Sequence, residues 1–532
     1  MLLKTSPGSS YHPLRAPYCF SLFFCSSFLP FFILFSVSSR TNSISEMFLG
    51  IDLGTSGIKV VLTSPSGEIL ASESRQLSVS RPRPLWNEQD PEDWWKALDS
   101  SVLALKAKHD MKKVKGVGLS GQMHGSVLLD KSGHVIRPCI LWCDGRCAAE
   151  CKEIERNVPT SRTITGNIIM PGFTAGKLLW VKKNEPENFE KVDMVLLPKD
   201  YLRFCMSGVY ASEMSDSSGT MWMDVKKRDW SDEILRATFL SRKNMPKLFE
   251  GSEVTANISE KIASRWGMNQ VPIVGGGGDN EAGAVGCGLF NPGQAMLSLG
   301  TSGVYFMVSD GFYSNTEEAV HSFCHALPKR WHLMSVMLSC AVCLDWASKL
   351  TGCTSVSQFV DEASKARDFD KRPVFFLPYL EGERTPHNNP DAKGVFFGLT
   401  SDHKRPELAR SVLEGVSFAL AQGMDAVHKC CGMPSSISLI GGGTKSPFWR
   451  QMLADVSGLP LNYCVGSEVG PSLGACRLAQ LGVEKQPIEQ VVTPLKVQQV
   501  HQPDMARHEA YQKRRKVFED LYKALKPVYG KL

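Results

Sequence analysis

The sequence predicts an α/β fold made of two similar domains facing one another, and three observations carry that prediction. First, a hairpin turning on Leu-Gly-Thr-Ser-Gly occurs twice in matched settings: Phe48–Val61 reads FLGIDLGTSGIKVV and Ala295–Val308 reads AMLSLGTSGVYFMV. Apolar runs flank each turn, and the turn residues let the backbone approach a ligand closely. Second, strand and helix patterns alternate, as in a sheet covered by helices. Third, the glycine-rich loops Gly54–Gly57, Gly275–Gly278 and Gly441–Gly443 each follow a strand, and Gly300–Gly303 repeats the first of them. Strand ends are where open α/β sheets place ligands.

Taken in order, the first hairpin is followed by the polar loop Trp86–Pro91. Asp90 suits a helix N-cap and Pro91 the first helical turn. Trp94, Leu98, Val102 and Leu105 then recur along one helical face. Val114–Leu119 reads as a buried strand ending in the loop Ser120-Gly-Gln-Met-His-Gly125. Another strand, Ser126–Leu129, turns at Lys131–Gly133. Val271–Val274 is a strand running into Gly275-Gly-Gly-Gly-Asp-Asn280, and a small-residue helix is expected over Glu281–Gly288. The turn Asn291–Gly293 marks the expected boundary between domains at 47–291 and 292–532. In the second half, Glu407–Cys431 reads as a long helix with Gly432 just beyond it. Strand Ile437–Ile440 leads to Gly441–Gly443, and Ser446-Pro447 opens another helix. Asp504–Tyr529 reads as a closing amphipathic helix.

The chain has 532 residues, 43% hydrophobic and 21% charged, with a formal net charge of +6. These values are ordinary for a globular protein of two or three domains. No long basic run is interleaved with aromatics, so nucleic-acid binding is not indicated. The 16 cysteines are scattered, which reads as reduced thiols and a cytoplasmic protein. Cys139, Cys143, Cys147 and Cys151 lie four apart, but Pro138 and the Trp142–Arg146 loop break any continuous helix, and no Cys-x-x-Cys occurs. Residues 1–46 form an apolar extension resembling a signal peptide or marginal membrane anchor. Either it is a targeting segment or Met47 is the functional start; the strand beginning at Met47 favours the second. Membrane contact is expected only through that extension, if at all, and a homodimer is compatible with the sequence.

The paired hairpins point to binding of ATP phosphates, and Asp52 in the first suits a metal ion bridging them. No GxxxxGK[ST] occurs, which excludes a P-loop, and no strand-linked GxGxxG with a downstream acid stands out. Asp279 sits where a glycine run meets a helix start. It fits an N-cap and a general base equally well on position alone. Gln122-Met-His124 lies in a glycine-flanked loop, where His124 reads either as a surface hydrogen-bonder or as a donor to sugar hydroxyls. Trp142-Cys-Asp-Gly-Arg146 reads either as a core Trp with an Asp–Arg pair or as part of the same site.

From Met47 onward the chain resembles the FGGY carbohydrate kinases, and within them the bacterial-type xylulokinases. The segments that carry this include GIDLGTSGIKV, LWNEQDPEDWW, GQMHG, LWCDGRC, MPGFTAGKLLWVKKNEP, LLPKDYLR, GGGGDN, ERTPHNN, GVFFGLT and LIGGGTKSPFWRQMLAD. The resemblance implies two actin-like ATPase (ribonuclease-H-like) domains with ATP and sugar meeting in the cleft between them. It implies ATP-dependent phosphorylation of D-xylulose, with Mg²⁺. Carried over by residue, Asp279 would be the catalytic base and Asp52 would help hold Mg²⁺. Gly54, Thr55 and Ser56, with Gly300, Thr301 and Ser302, would contact phosphates. Gly442, Gly443 and Ser446 would line the adenosine end. Met123, His124, Asp279 and Asn280 would contact the sugar. The alternatives are another kinase of the family acting on ribulose, gluconate, fuculose or glycerol, and a non-catalytic actin-like ATPase or chaperone-type binder.

Overall fold

Among the described residues two seven-stranded sheets carry the molecule, and six strands of each repeat one topology. The computed structural model describes residues 46–531 except 367–370, 372 and 465–469; the apolar N-terminal extension lies outside the described residues. In the first sheet, Met47–Leu53 and Gly57–Thr63 form an antiparallel hairpin extended by Ile69–Gln76. On its other side Met47–Leu53 pairs in parallel with Val114–Gly121, which pairs in parallel with Pro272–Val274, and Val254–Asn257 closes the edge antiparallel. In the second sheet, Gln294–Leu299 and Gly303–Ser309 make the hairpin and Trp331–Met337 extends it. Ser436–Ile440 and Leu461–Cys464 then follow in parallel, and Val497–His501 closes the edge antiparallel. The repeated LGTSG turns therefore occupy equivalent places at the ends of equivalent central strands.

The helices start where the local chemistry dictates. Asp90 accepts the amide of Glu92 at 3.0 Å and Pro91 opens the helix Pro91–Lys106. That helix buries Trp94, Leu98, Val102 and Leu105, each contributing about 1.5–3 kcal/mol of apolar burial. The long helix runs Arg405–Cys431 and ends at Gly432, whose φ is +80°. Ser446 caps Pro447–Ser457, and Asp504 caps Met505–Tyr529. The cysteine run is divided among elements: Cys139 lies in a two-residue strand, Cys143 is exposed, and Cys151 lies on the helix Ala148–Asn157.

A pair of helices packs the two halves together. Gly470–Glu484, from the second half, packs on the first sheet, against Val114–Gly121 and Met47–Leu53. It also packs on Asp279–Gly286. The approach is backbone to backbone. A Cβ added at Gly118 would sit 1.8 Å from the carbonyl oxygen of Ala475, and one at Gly474 1.7 Å from that of Ala282. Only hydrogen fits at these points.

Candidate active site

The loop before Asp279 reads from sequence as a flexible glycine run, and the structure shows it pinned. The amides of Gly275 and Gly276 donate to the carbonyls of Glu253 and Gly251, at 2.9 and 2.8 Å. The Gly275 carbonyl accepts from Arg203. The Gly278 amide donates to Ser215 Oγ at 3.1 Å. Both side-chain anchors belong to a fully buried ionic cluster. Lys199 Nζ meets Asp216 at 2.8 Å and Asp200 at 3.0 Å, and Arg203 meets Asp200 at 2.7 Å. Glu213 accepts the amide of Ser215 at 2.6 Å and that of Asp216 at 2.9 Å. Buried charges persist only when paired and hydrogen-bonded, and here the pairing holds the ends of the glycine run.

Asp279 is therefore the first residue inside its helix. Gly278 stands at the N-cap position and no side chain caps the helix end. Asp279 Oδ1 accepts the amide and the Nδ2 of Asn280, at 2.8 and 2.9 Å. Burial, then the neighbouring charges of Glu281 and Asp52, raise its pKa to about 7. Asp52 lies half-buried at the end of the first central strand and accepts from Ser120 Oγ at 3.1 Å. Burial raises its pKa to about 6, against the Ser120 bond and the charge of Lys59. A carboxylate desolvated beside another carboxylate fits a divalent cation, which would relieve both.

His124 has a left-handed backbone, φ +69°. Its carbonyl accepts from Lys177 Nζ at 2.7 Å and Thr174 Oγ1 at 3.1 Å, and Lys177 also donates to the Gly172 carbonyl at 2.7 Å. The fully buried Lys177 thus holds the loop while the ring turns edge-on to Phe173, 4.9 Å between centroids. Burial, then the charges of Lys177 and Arg384, keep the imidazole well below its usual pKa, so it is neutral at pH 7. Trp142 Nε1 donates to Thr55 Oγ1 at 2.8 Å, and Thr55 donates to Gln122 at 2.9 Å. Asp144 and Arg146 form a buried bidentate pair at 2.9 and 2.7 Å, a structural role, while Trp142 reaches the site.

Two cavities meet at the second LGTSG turn. One, of about 270 Å³, lies between the halves. Met123, His124, Asp279 and Asn280 line it from the first half, Gly300 and Ser302 from the second. The other, of about 710 Å³, lies in the second half and is lined by Thr301, Gly442, Gly443, Ser446 and apolar side chains that include Val342 and Val360. Gly300–Ser302 thus borders both. Asp52, Gly54, Thr55 and Ser56 line neither cavity; the first turn touches the site through the Trp142–Thr55 bond. Sequence reading missed His321 and Arg384, which line the smaller cavity. His321 carries no local signal, because its strand reaches the cleft only in three dimensions. Arg384, within the ERTPHNN segment, could have been singled out as a lone cation there.

The model of the FGGY family of carbohydrate kinases matches this chain twice, its N-terminal domain at residues 47–286 and its C-terminal domain at 295–482. The chain belongs to the FGGY family of carbohydrate kinases. Xylulose kinase from Escherichia coli (strain K12) is 60% identical over 484 residues, 91% of this chain and 100% of the relative. The solved structure of a xyloylose (xylulose) kinase from Brucella ovis superposes with a TM-score of 0.88 at 41% identity, covering 91% of this chain and 100% of that one. A gluconate kinase structure from Lactobacillus acidophilus superposes with a TM-score of 0.85 at 26% identity, covering 91% of this chain and 99% of that one. The protein is thus a carbohydrate kinase of actin-like ATPase fold, and ATP is the phosphoryl donor its family implies. The fold admits more than one sugar. Among the described residues no helix of this kinase is long and apolar enough to cross a membrane.

Proposed function

We propose that this kinase transfers the γ-phosphoryl group of ATP to the terminal hydroxyl of D-xylulose, giving D-xylulose 5-phosphate and ADP. The observation that carries the geometry is the loop Gly300–Ser302, which borders both cavities. A phosphate chain leading from the larger cavity would pass that loop toward Asp279. The choice of sugar rests on the 60% identity to a xylulose kinase across nearly the whole of this chain.

In this reading the sugar hydroxyl attacks the γ-phosphorus in line, its proton passes to the Asp279 carboxylate, and ADP leaves. Asn280 orients that carboxylate through its two hydrogen bonds. His124, held neutral, is hydrogen-bonded to the sugar, and Met123 packs on its carbon skeleton. Gly54, Thr55, Ser56, Gly300, Thr301 and Ser302 contact phosphates, while Gly442, Gly443 and Ser446 line the adenosine end. Asp52 would hold Mg²⁺, which offsets charge on the phosphate oxygens when bound. The 14 free cysteines among the described residues suit a reducing compartment, and we place the reaction in the cytoplasm.

The test is a coupled ADP assay on a panel of D-xylulose, D-ribulose, L-fuculose, D-gluconate and glycerol, with NMR of the product. D-xylulose is expected to give the highest kcat/KM, with phosphate on C5. A higher kcat/KM for another member of the panel overturns the sugar assignment.

A further inference from the structure

One charged side chain in the smaller cavity has no part in the scheme above. Arg384 lies in the second half, on a short segment tied down on both sides. Glu383 accepts the amide of Leu338 at 3.0 Å and that of Arg384 at 2.8 Å. Thr385 donates its amide to the Val336 carbonyl at 3.1 Å and its hydroxyl to the Ala319 carbonyl at 2.9 Å. The backbone is therefore fixed and the side chain is half-buried at the cavity wall. Among the described residues no carboxylate lies within ion-pair distance of the guanidinium, and the opposite charge acting on it is that of Glu383. Its one side-chain contact of hydrogen-bond length is His321 Nε2, at 3.4 Å. Across the cleft, a Cβ added at Gly172 would lie 3.7 Å from its Nη2.

Position decides what this cation can meet. Its charge is felt by His124 and His321. It lines the same cavity as His124, Asp279 and Asn280, beside His321 and facing Gly172. A five-carbon ketose whose terminal hydroxyl lies at Asp279 carries its C1 hydroxyl and C2 carbonyl at the opposite end of its chain, where another polar side chain of the cavity must meet them. A guanidinium has five donors and no acceptor, and a carbonyl oxygen only accepts. A C2 hydroxyl, as in a polyol, carries its own proton out of the carbonyl plane.

We propose that Arg384 binds the keto end of the sugar and makes the enzyme favour a ketose over the corresponding polyol. This rests on the sugar assignment above. It adds a second-half residue to the sugar contacts, so that sugar binding would bridge the two halves of the molecule.

The experiment compares wild type with Arg384→Ala and Arg384→Lys, measuring steady-state constants for D-xylulose and ATP and the Kd of xylitol by calorimetry. For Arg384→Ala the xylulose KM should rise about 10- to 100-fold, the loss expected for a charge-assisted hydrogen bond. The ATP KM should stay within about twofold, and the preference for xylulose over xylitol should shrink. Guanidinium ion at millimolar concentration should restore part of the xylulose affinity, which a merely structural role would not allow. Arg384→Lys keeps charge and stem without the planar fork, so it should show the same xylulose-specific loss; it decides the matter if the alanine variant does not fold. An unchanged xylulose KM, or equal losses for xylulose and xylitol, overturns the inference. Wild type inactive on xylulose overturns the sugar assignment instead.

Discussion

Asp279 has its pKa near 7 because burial disfavours its charge and Glu281 and Asp52 add like charges, outweighing the two bonds from Asn280. A base must be unprotonated, so kcat/KM for xylulose should fall about tenfold per pH unit below about 7 and level off above it. A pH–rate profile with no acid limb between pH 5 and 7 would contradict this. Asp279→Asn keeps the shape and loses the proton acceptor. Its kcat should drop about 10²- to 10⁴-fold while calorimetry still finds ATP and xylulose bound. The fold should tolerate the change, because Asp279 does not cap its helix. Near-wild-type kcat would move the base elsewhere. At this scale the residue types were legible in sequence, since a carboxylate and a histidine in glycine-flanked loops are visible one by one. The pinning of those loops was not. Lys199, Arg203 and Ser215 lie 64 to 80 positions upstream of Asp279, and only folding brings them beside its glycine run.

Among the elements, starts and stops were legible because caps are local chemistry: Asp90, Ser446 and Asp504 each accept amides within their own first turn. Placement was not. Nothing local announces that Gly470–Glu484 leaves its own half to lie on the first sheet. That crossing depends on missing side chains, and it can be tested. Gly474→Ala would put a methyl carbon 1.7 Å from the Ala282 carbonyl oxygen. The helices must separate, at a cost of about 1–3 kcal/mol or more. Tm should fall by several degrees, and kcat should fall too because the displaced helix carries Asp279. A variant with wild-type Tm would show that the crossing is looser than described.

Across the whole molecule, stability should depend on pH in an unusual direction. Burial raises Glu281 and Glu383 to about 8 and Asp279 to about 7. A carboxyl raised in the folded state binds its proton more tightly folded than unfolded, so its contribution is lost as pH rises through the folded value. His124, His321, His325 and His332 are lowered, first by burial, and act oppositely, but only below their unfolded pKa of about 6.5. Above that only the carboxyls remain among these groups. The ligand-free enzyme should therefore lose Tm between about pH 7 and 8.5 in scanning calorimetry. A Tm that climbs over that range would refute the buried carboxyls as the dominant groups.

The sequence by itself determined the class of the molecule. The doubled hairpin, the alternation of strand and helix and the glycine loops at strand ends are local patterns, read from neighbours a few residues apart. It also offered candidates for the chemistry, Asp52, His124 and Asp279 among them. Only the tertiary structure decided how they meet. It placed Gly300–Ser302 at the border of two cavities, set His321 and Arg384 opposite His124 from the other half of the chain, and pinned the glycine run before Asp279 through an ionic cluster assembled from distant segments. The physical reason is separation along the chain. Caps and turns are settled within one turn of backbone. A buried charge, by contrast, is paired or raised in pKa by groups that sequence spacing does not reveal.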